Sequence, residues 1–140
     1  MKTMNTAATL SGITVALILS GCSDSYADGL IAEAKSNSEI SLAAPNGADW
    51  SSGIIVCPYT PLNQIPEAYR TRFSDEPLLS EGSQWLGFTT TQGIEVVTLS
   101  RSELDFCWFD NAMDFGPGHQ WEITTDTDGR LVASDKQQTQ

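Results

Sequence analysis

The chain has 140 residues, with 18 acidic against 7 basic side chains, and a net charge of −11. That balance argues against nucleic-acid binding, which relies on Lys and Arg neutralising phosphates, and against adsorption to anionic lipid through a basic face. The length suits one domain with one core.

Met1-Lys2-Thr3-Met4-Asn5-Thr6 carries a single charge, at Lys2, and precedes the apolar run from Ala7 to Leu19. These are the n-region and h-region of an export signal. A spanning helix needs about 20 mainly apolar residues for roughly 30 Å of hydrocarbon. This run is shorter, and Thr9, Ser11, Gly12 and Thr14 interrupt it. Leu19-Ser20-Gly21-Cys22 closes the run and resembles the lipobox of bacterial lipoproteins: two small residues that enter a peptidase, then a thiol that takes a diacylglycerol. The expectation is removal of residues 1–21 and a lipidated Cys22 as the new first residue, with palmitate-type chains as the membrane contact. An ordinary secretory signal that ends beside a cysteine is the alternative. Each buried methylene contributes about 0.8 kcal/mol, so two or three acyl chains hold a protein essentially permanently. The position after Cys22 is Ser23 and not Asp, which leans toward the outer membrane in a Gram-negative envelope. The domain then faces the periplasm or the cell exterior.

Cleavage leaves 119 of the 140 residues, and because only Lys2 of the 7 basic residues is lost, the net charge becomes −12. An acidic surface suits a basic partner or divalent cations, or simply keeps a soluble surface apart by like charge. With Cys22 assigned to lipid, Cys57 and Cys107 remain, and two cysteines in an oxidising compartment read as one disulfide. Neither belongs to a Cys-x-x-Cys pair, which disfavours redox or zinc chemistry. No cofactor is expected.

Residues 22–47 are rich in Ser, Ala, Asn, Asp and Gly and read as a tether. Within it, Leu30, Ile31 and Ala34 suggest one face of a short helix from Ala27 to Lys35, and Glu39 to Leu42 alternates like a brief strand. Pro45-Asn46-Gly47 breaks the chain, and a single globular domain follows over residues 48–135, its compact part beginning near Trp50. Gly53 to Cys57 is a β-branched run suited to a strand buried on both faces. Thr60 and Pro61 suit an N-cap and first helical residue of a helix toward Arg72, with Leu62, Ile65 and Tyr69 along one side and a kink or two short turns at Pro66. Gln84 to Thr90 and Ile94 to Arg101 form a predicted hairpin about Gln92-Gly93. Asp105 to Phe109 is a predicted third strand, and Trp121 to Thr127 and Arg130 to Ser134 flank the turn dipeptide Asp128-Gly129. Residues 136–140 form a polar tail. The expected architecture is α+β: one antiparallel sheet of about five strands with one or two short helices packed on it.

Trp50, Ile54-Ile55-Val56 and Pro58-Tyr59-Thr60, then Trp85-Leu86-Gly87-Phe88, Ile94 to Val97, and Arg101 before Phe106, resemble a family of small bacterial lipoproteins of unknown function. The likeness covers roughly residues 48–110. It implies a lipid-anchored domain and no catalytic residues, with Cys57 a local addition before the Pro-Tyr-Thr turn.

His119 is the single histidine, in a Gly-Pro-Gly-His loop, and reads as incidental because a hydrolase base needs a nucleophile beside it. Asp105, Asp110 and Asp114 crowd one region, and Asp126-Thr127-Asp128-Gly129 fits a hairpin turn better than a calcium loop. No metal site is expected. Trp50, Tyr59, Trp85, Trp108 and Trp121 are many large aromatics for a small domain. They fill its core or supply a binding surface, with Trp50, Tyr59, Trp85 and Trp121 the candidates for the latter. The leading functional expectation is a noncatalytic envelope lipoprotein that binds another protein or an envelope component, a toxin-neutralising inhibitor being a special case. An extracytoplasmic hydrolase using paired carboxylates is the alternative.

Overall fold

The structure, a computed structural model, describes residues 22–73, 80–108 and 112–136. The leader, residues 1–21, lies outside them, as do Phe109 and Asp110. Helix α1 spans Cys22–Ser36 and strand β1 Glu39–Ser41. After a 3-10 turn at Pro45–Gly47 comes β2, Trp50–Val56, then a second 3-10 turn at Leu62–Gln64 and α2, Glu67–Arg70. Strands β3 (Ser83–Thr90), β4 (Gly93–Ser100), β5 (Leu104–Asp105), β6 (Met113–Phe115), β7 (Gln120–Thr125) and β8 (Leu131–Asp135) complete the order.

The mixed α+β class holds, but among the described residues the strands form two four-stranded sheets and not one of about five. One sheet runs β1-β7-β8-β5, with the β5–β8 pair parallel. The other runs β4-β3-β2-β6 and is antiparallel throughout. The partition follows from where apolar side chains are available. Leu86 and Phe88 of β3, Val97 and Leu99 of β4, Ile55 of β2 and Phe115 of β6 meet Ile40, Trp121, Ala133 and Leu104 of the other sheet in one core. The reverse face of the second sheet is also apolar: Ile54, Val56 and Trp85 pack with Ile65 and Tyr69 from the α2 segment. Strand β2 is therefore covered on both sides, which is why it reads as an unbroken β-branched run.

Close approach fixes two glycines. A Cβ at Gly53 would lie 2.4 Å from the Phe115 ring paired across from it, and one at Gly87 2.9 Å from the ring of Tyr69. Aromatic edges then finish the core, with Phe88 set T-wise against Trp50 at 5.2 Å and Phe106 against Trp121 at 5.2 Å. Gln84, fully buried, joins the sheets by imitating a strand neighbour: its Nε2 donates to the Leu104 carbonyl and its Oε1 accepts from the Phe106 N–H.

Several expectations are corrected. Within the segment read as a tether, the stretch from Tyr26 to Ala44 packs into the domain: Leu30, Ile31, Ala34, Ile40, Leu42 and Ala44 are all buried in the main core. The helix expected from Ala27 to Lys35 lies within α1, and Tyr26, one residue ahead of it, also packs against the core. The segment from Pro61 toward Arg72 forms two short turns broken at Pro66, as expected of a residue without an N–H. Thr60 does not cap it; its hydroxyl donates to the Cys57 carbonyl at 2.8 Å. The third strand is only Leu104–Asp105, because Asp105 turns its carboxylate back onto the Cys107 N–H and ends the extended run before Cys107. In the β7–β8 turn, Gly129 alone takes a positive φ, +82°. The bonds from Gly129 N–H to the Asp126 carbonyl and from Asp126 N–H to the Arg130 carbonyl make a longer loop than the expected two-residue turn.

Candidate functional site

The sulfur pair organises one end of the molecule. Cys57, immediately after β2, and Cys107, just beyond β5, are joined by a disulfide with their Cα atoms 5.5 Å apart, and both are buried. Each is followed by an exposed aromatic: Tyr59 is 58% exposed and Trp108 52%. Consecutive Cα atoms lie about 3.8 Å apart, so the bridge holds the Cα atoms of Tyr59 and Trp108 within about 17 Å. Leu62, 40% exposed, lies on the turn that follows Tyr59.

Tyr59 carries a φ of +62°, in the left-handed region that costs an L-residue with a bulky side chain roughly 1–2 kcal/mol. The Thr60 N–H and hydroxyl, both donating to the Cys57 carbonyl, close the turn around it. At the far end of the ring the phenol donates to Glu81 Oε1 at 2.8 Å. That bond, more than partial burial or the carboxylate's charge, raises the phenol above its ordinary pKa, so the ring stays neutral and donating. Backbone and tip together hold the ring in one pose while leaving it open to solvent.

Behind it lies a knot of charge. Asp105 is fully buried, its Oδ1 accepting from Arg101 Nε at 2.9 Å and from the Cys107 N–H at 2.8 Å. Its Oδ2 accepts from Arg101 Nη2 at 3.0 Å and lies 3.3 Å from Arg130 Nη1. Arg101 also donates to the carbonyls of Glu81 and Cys107. Three hydrogen bonds and an ion pair on one carboxylate thus clamp the loops after β4 and β5 to the β7–β8 turn. Between the knot and Tyr59 opens a recess of about 470 Å³, lined by Pro58, Tyr59, Glu81, Arg101, Ser102 and Arg130.

Neither a family model, nor a curated protein, nor a solved structure matches this chain.

Of the remaining aromatic candidates, Trp85 and Trp121 are core residues, 3% and 0% exposed, and Trp50 is half-buried against Phe88 and Phe115. Of the Asp group, Asp105 is buried in the knot, Asp114 is exposed on β6 and Asp110 lies outside the described residues. His119 Nε2 sits 2.9 Å from Asp135 Oδ1, without the angular geometry of a hydrogen bond, and its ring lies against Trp121 at 4.9 Å. Among the described residues no three His, Cys, Asp or Glu side chains are grouped to hold a metal ion. Nor is any helix among them long and apolar enough to cross a membrane.

Asp126 holds the turn that carries Arg130. Partial burial raises its pKa, but the backbone N–H groups of Arg130 and Asp128 and the Arg130 guanidinium outweigh that and lower it overall. A carboxylate depressed on folding stabilises the fold above its unfolded value and loses that contribution as pH falls through the folded one. Protection of the Asp128 and Arg130 amides is therefore expected to persist at neutral pH and fall only below the ordinary value of 3.8. Amide exchange followed across an acid titration measures this, and Asp126→Asn should lack the acid step.

Proposed function

We propose that this chain is a lipid-anchored envelope protein, noncatalytic, that binds a protein partner through the disulfide corner presenting Tyr59, Leu62 and Trp108. The anchor is the lipobox at Cys22. One observation carries the binding reading: the exposed Tyr59 ring, held at a backbone angle that costs energy and pinned at its hydroxyl. Strained residues persist only where the surroundings over-determine them, and they gather where a surface is presented to a ligand. A rigid aromatic loses little entropy on docking, which suits an anchoring side chain in an interface. The adjoining recess offers Glu81, Ser102 and Arg130 as polar contacts for the rim.

A photo-crosslinking amino acid at Tyr59, in the full chain expressed in cells that export it, is expected to give a discrete adduct. The same probe at Thr91, exposed on the β3–β4 turn, should not. Loss of the Tyr59 adduct when Trp108 is changed to Ser would tie the two aromatics to one face. Equal labelling at both positions, or none at Tyr59, would contradict the reading.

A further inference from the structure

We propose that the domain is seated directly on the bilayer surface, with the N-terminal turn of α1 at headgroup depth, and is not carried above the membrane on a leash; this rests on lipidation of Cys22. Three features support it. Helix α1 includes Cys22, so the attachment point belongs to a secondary-structure element of the fold. The first clamp comes only four residues later: the Tyr26 hydroxyl donates to the Ala43 carbonyl at 2.7 Å, and its ring meets Phe88 edge-on at 6.2 Å. Burial raises the Tyr26 phenol well above its ordinary pKa, so this donor is never lost near neutrality. The next helical turn adds Leu30, Ile31 and Ala34 to the core.

Helical rise is about 1.5 Å per residue, which puts Cys22 within about 6 Å of the Tyr26 clamp. A flexible segment of about 20 residues would instead let the domain wander some 25 Å from its anchor. The headgroup layer on one side of a bilayer is about 5–7 Å deep. Ser25, exposed and about 4.5 Å along the helix from Cys22, therefore falls inside that layer. A recess of about 390 Å³ runs along α1 from Ser25 to Glu33, facing Ser41, Ala43 and Ala44.

The test uses the full, processed chain in phosphatidylcholine vesicles, carrying a spin label at Ser25→Cys. A second form adds about 20 Gly and Ser residues between Ser23 and Asp24, ahead of the Tyr26 clamp, and circular dichroism checks that both fold alike. The expected result is several-fold lower access of a water-soluble nickel chelate to the label in the natural-length chain than in the extended one. Equal access in both, with acyl mass present on Cys22, would overturn the seating and leave the anchor standing. Absence of acyl mass on Cys22 would overturn the anchor and, with it, the seating.

Discussion

Asp105→Ala is expected to destabilise the domain by about 3 kcal/mol, visible as a lower denaturant midpoint at unchanged slope. The substitution strips partners from two guanidiniums and from the Cys107 N–H, and the cost of a broken buried ion pair comes mostly from the groups left behind. The Arg101 and Arg130 side chains keep 23% and 37% of their surface in water, which allows partial resolvation and sets the value at the low end of the usual 3–5 kcal/mol range. Since small domains are stable by only about 5–15 kcal/mol, the loss is large. The same variant is expected to weaken the Tyr59 adduct, because Glu81, which holds the Tyr59 hydroxyl, is itself tied by its carbonyl to Arg101. A midpoint within the equivalent of about 0.5 kcal/mol of the parent, typical of a surface change, would show the knot to be incidental.

Replacing Cys57 and Cys107 together by Ala should cost about 4 kcal/mol, the chain-entropy value for a cross-link with a sequence separation of 50. Unfolding the protein with and without reductant makes the same comparison without mutation. The two losses should not add. Asp105 and Arg101 both bond the backbone of Cys107, so once the bridge is gone the knot has a looser loop to hold, and the triple variant should fall short of the sum. Strict additivity would mean that the bridge and the knot stabilise separate parts of the fold.

How much of this was readable from the chain depends on how local each determinant is. The strand ending at Val56 and the two hairpins announce themselves through β-branched runs and Gly-containing turns, and Pro66 marks its own break. The division into two sheets depends on partners far apart in sequence. Strand β6 is three residues long with an Asp at its centre, and its place beside β2 depends on Phe115 filling the space that Gly53 leaves. Most of helix α1 is legible in Leu30, Ile31 and Ala34, which suggest a helix from Ala27 to Lys35, whereas its packing into the core is masked by the linker-like composition of Ser23-Asp24-Ser25 and Asp28-Gly29. At the site, Tyr59 was a candidate on residue type, whereas nothing local distinguishes it from Trp85 and Trp121, which are buried. Arg101 and Asp105 stand four apart, a pattern with many innocent causes. The contribution of Arg130 comes from a separate hairpin and is invisible until the β7–β8 turn is folded beside β5.

The reading of this protein as an anchored binder stands on the chemistry of its first mature residue, and intact mass spectrometry of the protein purified from the membranes of exporting cells addresses it directly. The account predicts a chain beginning at Cys22 with fatty-acyl mass on that residue, alongside a Cys22→Ser form that is unprocessed or released without it. A mature chain that starts elsewhere, or a Cys22 carrying no lipid, would contradict it.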